Sequence, residues 1–131
     1  KIYENDDPSV VLFACGSGIA PIRAALEDAN EKGLKGRKVQ LYFGSQTAEK
    51  MAYQDKFAEW ESLGDVSVTP VLSKPGEGWT GATGYVQDVA KEAGIAEAES
   101  TAILLCGMKG MAEGVKALAT EVGIDEAKVM A

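Results

Sequence analysis

The apolar residues of this chain occur in short continuous runs that alternate with longer segments of helical spacing. Runs at residues 10–14, 39–43 and 101–106 are too short for helices and are typical of strands buried in a parallel sheet. Residues 66–72 alternate Val66 and Val68 with polar neighbours and are mostly β-branched, which also predicts a strand. A weaker run at residues 128–130 predicts a short fifth strand.

Four helices are predicted between these strands from apolar residues spaced three and four apart. The first covers residues 20–32, and its apolar face is Ile22, Ala25, Leu26 and Ala29. The second begins after Thr47 as N-cap and ends at Gly64, with an apolar stripe of Tyr53, Phe57, Trp60 and Leu63. The third is expected to turn Val86, Val89, Ala90 and Ala93 toward the core. The fourth is expected to bury Met111, Val115, Leu118 and Val122.

Strand and helix alternate along the whole chain, which predicts an α/β fold with helices on both faces of a parallel sheet. Right-handed crossovers favour a doubly wound, Rossmann-like, three-layer domain with a five-stranded parallel sheet in the order 3-2-1-4-5. Residues 73–82 contain Pro75 and several glycines and are predicted to form a loop. Ligands of such sheets bind at the carboxyl ends of the strands where the order reverses, here between strands 1 and 4.

Composition and charge exclude several classes of function. With 131 residues, the chain is predicted to be one domain with its own core. A net charge of −7 argues against nucleic acid or an anionic membrane as partner, and no apolar run is long enough for a membrane span. Histidine is absent, which excludes an imidazole base and most zinc sites, and no metal site is predicted. Two cysteines without a CxxC motif indicate a reducing compartment.

The segment from Gly16 to Pro21 is the first chemically distinctive feature. It joins a strand to a helix, so its backbone N–H groups and the positive end of the helix dipole suit an anion such as a pyrophosphate. It departs from the GxGxxG dinucleotide motif, because Pro21 stands at the third glycine and Gly44-Ser45-Gln46 replaces the acidic residue after the second strand. A purely structural turn remains an alternative.

Cys106 and Gly107 repeat this arrangement after the fourth strand. The two Cys-Gly turns are therefore expected to flank one crevice. A lone cysteine is most often a small buried apolar residue, and Cys15 is interpreted in this way, whereas Cys106 is the better candidate for contacting a ligand. A disulfide between them is disfavoured in a reducing compartment.

Four motifs, in order and at matching spacing, resemble the pyridine-nucleotide-binding domain of the ferredoxin-NADP reductase superfamily. They are Gly16–Pro21, matching G-[TS]-G-I-[AT]-P; Phe43-Gly44 followed by Tyr53 and Phe57; Ser73-Lys74-Pro75 with Gly84-Tyr85-Val86; and Cys106-Gly107-Met108. The resemblance covers roughly residues 10–129. Residues 51–57, Gly78-Trp79 and residues 84–87 are most similar to the plant and algal fruit-protein-like NAD(P)-binding reductases.

This resemblance implies a role for each matched residue. The pyrophosphate would lie against Gly16, Ser17 and Gly18, with Ala20 and Pro21 opening the helix behind it. The adenosine half would be bordered by Gly44, Ser45 and Gln46. Ser73 and Lys74 would hold the 2′-phosphate of NADP(H), and Tyr85 would stack on the adenine. Cys106 would be the catalytic residue against the nicotinamide, with Gly107 and Met108 shaping its pocket. A hydroxyl and an ammonium attract a phosphate, so NADP(H) is expected in preference to NAD(H).

The activity implied is that of an NAD(P)H-dependent flavoprotein oxidoreductase, in which the nicotinamide exchanges a hydride with FAD. The FAD would belong to an N-terminal flavin domain in cis. Residues 1–9 are then a linker, and residues 10–131 are an NAD(P)-binding domain that is expected to be inactive alone. The electron acceptor is left open, because an acidic ferredoxin suits an acidic domain poorly. A plastid location is implied by the branch alone.

Two alternatives stay open on the residues. The chain can be a non-catalytic nucleotide-binding or assembly module that keeps the reductase fold without a flavin partner. A flavodoxin-like or receiver domain has a similar sheet, but the lack of an acidic cluster after the first strand disfavours a receiver, and the Cys-Gly-Met turn has no explanation in either.

Overall fold

The structure is a computed structural model that describes residues 9–16, 19–20, 22, 38–51, 56–62, 66–94, 101–106, 109–124 and 129–130. Its strands are β1 (Ser9–Cys15), β2 (Lys38–Ser45), β3 (Val66–Leu72), β4 (Ala82–Thr83), β5 (Thr101–Cys106) and β6 (Val129–Met130). Its helices are α1 (Phe57–Glu61), α2 (Val86–Ala93) and α3 (Lys109–Val122), together with a 3₁₀ turn at Ala48–Lys50.

All neighbouring strands of the sheet are parallel, and their order is β4-β3-β2-β1-β5-β6. The five predicted strands thus take the predicted order 3-2-1-4-5. The sheet that the structure describes has six strands, one more than predicted. Ala82 and Thr83 pair with Val71 and Leu72 as an additional outer strand. Ala82 belongs to the segment predicted as a loop. The pairing continues at Gly84, whose N–H donates to the Leu72 carbonyl at 2.9 Å. A strand of two residues is too short to show alternating apolar and polar residues, so the sequence pattern does not predict it.

Strand β1 is buried on both faces, as its continuous apolar run predicts. Val10, Leu12 and Ala14 belong to one core cluster, whereas Val11 and Phe13 belong to the cluster on the opposite face. We call these the first and the second core. Because side chains alternate between the two faces along a strand, Cys15, at the end of β1, packs toward the second core.

Helices α2 and α3 cover the second core. The predicted face of α3 is confirmed, since Met111, Val115 and Leu118 are buried and Val122 is half-buried. In α2, Val86 and Ala90 are buried and Val89 is half-buried. The prediction for Ala93 is wrong, because residues 91–94 are all exposed where the last turn of α2 extends past the core.

The second predicted helix is interrupted in the structure. Thr47 precedes only the 3₁₀ turn and its side chain makes no capping hydrogen bond, and Met51 is extended. Helix α1 begins ten residues after Thr47, at Phe57. The stripe is confirmed at Phe57 and Trp60, which pack in the first core. Tyr53, Leu63 and Gly64 lie outside the described residues.

Little of the first predicted helix is described. Ile19, Ala20 and Ile22 are helical, and the two isoleucines are buried in the first core. The predicted apolar positions Ala25, Leu26 and Ala29 lie outside the described residues, as does residue 21.

The outer side of β3 is bounded by the chain itself. The Leu72 carbonyl faces β4, so Val68 and Pro70 face the same outer side by the two-residue period of a strand. The N–H of Val68 donates to a Glu61 carboxylate oxygen at 3.3 Å. Helix α1 therefore supplies a side-chain partner where no strand pairs with residues 66–70 within the described part of the sheet.

Candidate functional site

A cleft of about 510 Å³ opens at the carboxyl ends of β1, β2 and β3. It lies on the face of the sheet that carries the second core and the first turns of α2 and α3. Its lining residues are Cys15, Gly44, Ser45, Gln46, Ser73, Lys74, Gly84, Tyr85, Val86, Gln87 and Met111.

The two loops that border the cleft are held together by backbone hydrogen bonds. The N–H of Ser73 donates to the Ser45 carbonyl at 3.0 Å, and the N–H of Lys74 donates to the Gln46 carbonyl at 2.9 Å. These bonds continue the pairing of β2 with β3 beyond the end of the sheet. The hydroxyl of Ser45 donates to the Thr47 carbonyl at 3.1 Å, which fixes the turn after β2.

The opposite border is the entry to α2. Gly84 has a φ of +104°, a conformation that favours glycine, and it turns the chain from β4 into the helix. Tyr85 is the N-cap residue, its side chain does not cap the helix, and it is 63% exposed. Among the described residues, the N–H groups of Val86 and Gln87 have no hydrogen-bond acceptor. The positive end of the α2 dipole thus faces the cleft with two free donors.

The electrostatics of the cleft favour an anion. Lys74 is exposed and carries the only charge among the lining residues. Across the described ranges, no carboxylate pairs with its ammonium. In a chain of net charge −7, Lys74 thus gives the described lining of the cleft a positive charge. No cluster that could hold a metal ion occurs among the residues that the structure describes.

Gly44 forms the floor of the cleft. A Cβ at this position would lie 3.0 Å from Cγ1 of Val86 and 3.7 Å from Sγ of Cys15. The absence of a side chain therefore lets α2 approach β2 and keeps the floor open to a ligand.

The structure brings six of the predicted site residues to this cleft: Gly44, Ser45, Gln46, Ser73, Lys74 and Tyr85. Gly16 is exposed after β1 and has a φ of +58°. The backbone conformation of this turn by itself favours glycine, without any requirement from a ligand. Gly16 and Ala20 do not line the cleft. Ser17, Gly18, Pro21, Gly107 and Met108 lie outside the described residues. The strands leading to the two predicted glycine turns, β1 and β5, are direct neighbours.

The two cysteines lie on opposite faces of the sheet. Cys106 pairs with Ala14 in the sheet and packs beside the first core, whereas Cys15 packs beside the second and lines the cleft. Both are half-buried free thiols, in agreement with the expectation that they form no disulfide. Burial raises the pKa of the Cys15 thiol, so Cys15 is protonated at neutral pH and presents a weakly polar, uncharged surface. Its interpretation as a purely apolar core residue is incomplete, because β1 ends at the cleft on that face.

Five lining residues were given no ligand role from the sequence: Cys15, Gly84, Val86, Gln87 and Met111. Gly84 and Val86 nevertheless stand in a motif that carries the family resemblance. Gly84, Val86 and Gln87 adjoin the predicted Tyr85, so adjacency was an available signal. Met111 was assigned to a helix seam, and it does pack in the second core. Its second role follows only from the position of α3 at the cleft.

Comparison with known proteins gives the family. The model described as "Oxidoreductase NAD-binding domain" matches residues 12–117. The chain belongs to this family. The match contains both cleft borders, the last four residues of β1, and all of β2, β3, β4 and β5.

Two curated relatives extend the comparison. The NAD-binding domain is 36% identical over 129 residues to the fruit protein pKIWI502 of Actinidia deliciosa, covering 95% of this chain and 39% of that protein. It is 32% identical over 128 residues to NADH-cytochrome b5 reductase 1 of Kluyveromyces lactis, covering 95% of this chain and 45% of that protein. The chain thus spans less than half the length of either relative.

Two solved structures share the fold. They are the cytochrome b5 reductase domain of Ulva prolifera nitrate reductase and a ferredoxin NADP+ reductase from Neisseria gonorrhoeae with bound FAD and NADP. Their TM-scores are 0.79 and 0.78 at 18% and 19% identity, with 94% and 95% of this chain and 48% and 55% of theirs covered. The resemblance to the ferredoxin-NADP reductase superfamily and its fruit-protein branch is confirmed. None of the described helices of the domain is long and apolar enough to span a membrane.

Proposed function

We propose that this domain binds NADP(H) in preference to NAD(H) and presents the nicotinamide to the flavin of another domain. The observation that carries the proposal is the convergence of Ser73, Lys74 and Tyr85 on one cleft, in which Lys74 is the one charged residue of the described lining. The 2′-phosphate distinguishes NADPH from NADH. A lysine and a serine supply donors that such a phosphate needs, and the exposed ring of Tyr85 offers a face for the adenine.

The sheet order supports a path for the rest of the dinucleotide. Strands β3, β2, β1 and β5 lie side by side, and strands of a sheet are about 4.8 Å apart, so three intervals span roughly 14 Å. An extended ligand can run along this edge from the Lys74 end to the Cys106 end. The open floor at Gly44 lies one strand from β3, where the adenosine half with its 2′-phosphate would approach the N–H groups of Val86 and Gln87. The pyrophosphate would lie further along this edge, at the turn after β1.

In this proposal, the role of the chain is to bind the nucleotide and to orient its nicotinamide ring toward the flavin. When bound, the nicotinamide ring exchanges a hydride with the flavin. Cys106, at the end of β5, would lie beside the nicotinamide and help to position its ring for this exchange. The proposal places the flavin on a further domain, and the curated relatives are more than twice as long as the part of them that this chain matches. The Neisseria protein, which shares this fold, binds both FAD and NADP, and the proposal extends this pairing of cofactors to the present chain.

Lys74→Ala is expected to weaken NADPH binding about tenfold, since the substitution removes a charge-assisted hydrogen bond worth ~1.4 kcal/mol. NADH has no 2′-phosphate, so its affinity should change less than about twofold. Separate calorimetric titrations of NADPH and NADH measure both dissociation constants.

The matched control for this substitution is Lys91→Ala. Lys91 is an exposed lysine in the last turn of α2, where it pairs with Glu121 at 3.1 Å. This variant loses the same charge away from the cleft and should bind both nucleotides as the wild type does. An equal loss of NADH and NADPH affinity in Lys74→Ala, or equal affinities in the wild type, would contradict the proposed preference.

Cys106→Ala, made in the protein that includes the flavin domain, is expected to lower turnover about tenfold while NADPH affinity changes less than twofold. The reason is that Cys106 orients the reacting ring and contributes little to the grip on the adenosine half. Steady-state kinetics and nucleotide titration on the same preparation separate the two effects. Lost affinity with intact turnover would remove the proposed role, and a flavin-free full-length protein would favour the non-catalytic module.

A further inference from the structure

Trp79 lies in the middle of the loop that joins the two borders of the cleft. Its indole N–H donates to the Ala82 carbonyl at 3.0 Å. Its ring covers Gly81 so closely that a Cβ there would lie 2.6 Å from Cζ2 of the indole. The ring also packs against the first core. Trp79 therefore ties the loop to the body of the domain by a hydrogen bond, a ring contact and apolar burial.

Both ends of this loop carry cleft residues. Ser73 and Lys74 leave β3, and the loop returns as β4 to reach Gly84 and Tyr85. The ends are held by backbone hydrogen bonds. The segment between them includes Gly78, with a φ of +89°. Glycine is conformationally permissive, so the loop needs another source of order. Trp79 is a bulky anchor within that segment.

We infer that Trp79 is a positioning residue that sets the placement of Lys74 relative to Tyr85 and, through it, the discrimination between NADPH and NADH. This inference rests on the proposed function, because it assigns the 2′-phosphate to Lys74. Trp79 does not line the cleft. Its action is therefore indirect, through the loop that it anchors.

The first test needs no nucleotide. In the full chain, Trp79→Ala is expected to raise the amide hydrogen exchange of residues 73–84 about tenfold, because the loop loses its anchor. Trp79→Phe keeps a ring over Gly81 but loses the donor to Ala82, so an intermediate increase is expected. Lys91→Ala, outside the loop, should leave this exchange unchanged. Unchanged exchange in Trp79→Ala would overturn the inference, whatever the nucleotide preference.

The second test is a double-mutant cycle measured by NADPH and NADH titration. Trp79→Ala is expected to lower the NADPH-to-NADH affinity ratio about fivefold in the wild-type background. In the Lys74→Ala background it should leave the ratio unchanged, since the residue it positions is gone. A general structural role predicts equal losses for both nucleotides, or the same change of ratio in both backgrounds, and either result would overturn the inference.

The two proposals fail separately. Equal wild-type affinities for the two nucleotides reject the NADP(H) preference, and with it the selectivity part of this inference. The exchange measurement still decides whether Trp79 orders the loop. Trp79→Phe serves the cycle as well if Trp79→Ala does not fold, with a smaller change of ratio expected in the same direction.

Discussion

Replacing Gly44 by valine is expected to weaken the binding of both NADPH and NADH about a hundredfold, or ~2.8 kcal/mol. A Cβ at Gly44 would already lie 3.0 Å from Cγ1 of Val86. Val86 is buried at the start of α2, and its branched side chain has little rotamer freedom. The added methyl groups therefore either fill the cleft or push α2, and Tyr85 with it, out of place. Calorimetric titration measures the loss.

The control for this substitution overpacks the same core at a distance from the cleft. Ala119 is buried in the second core on α3, and Ala119→Val adds two methyl groups there. We expect this variant to lower thermal stability and to keep wild-type nucleotide affinity. If Gly44→Val binds nucleotide normally, or Ala119→Val loses it equally, the cleft is not where the nucleotide lies.

The second large effect concerns stability. Trp60→Ala is expected to lower the free energy of unfolding by about 3–5 kcal/mol, the range for removing a large buried aromatic side chain. Trp60 is 0% exposed, and its ring packs in the first core with Phe57, at a centroid distance of 5.8 Å. Many domains are stable by only about 5–15 kcal/mol, so the midpoint of urea unfolding should fall steeply. The slope of the transition should stay unchanged.

A neighbouring position on α1 provides the control. Glu59 is exposed, and its pairing with Lys56 at 3.1 Å joins two exposed side chains. Such pairs contribute little, so Glu59→Ala should change the free energy of unfolding by no more than about 0.5 kcal/mol. A loss below about 1 kcal/mol in Trp60→Ala would mean that α1 does not cover the first core as described.

The strand order was predictable because it depends on patterns that can be observed directly in the sequence. Continuous apolar runs such as residues 10–14 mark strands buried on both faces, and right-handed crossovers then leave few topologies. The interruption before α1 was not predictable from Thr47, because a polar residue ahead of an apolar stripe suits a 3₁₀ turn as well as a helix. Met51 is buried and extended. Tertiary packing determines this conformation, and the local sequence does not indicate it.

The lining of the cleft was predictable in part, and the roles of its residues stay predictions. Ser73, Lys74 and Tyr85 belong to segments that resemble a family motif, and the structure brings them to one cleft. The face of the sheet on which each cysteine lies was not predictable from the sequence, because it depends on the register of Ala14 with Cys106. That register places one thiol on each face of the sheet, although both cysteines precede glycine in similar sequence contexts.

The outer side of β3 has a consequence for behaviour at high concentration. A free strand edge invites a second molecule to add its own strand. Here Pro70 has no N–H to offer, the N–H of Val68 is already engaged by Glu61, and the Leu72 carbonyl is taken by Gly84. On that side, neither Val68 nor Pro70 thus has an N–H left to donate to a second molecule, and the Leu72 carbonyl already has a donor. The sheet is expected to resist edge-to-edge aggregation there without a long protecting strand.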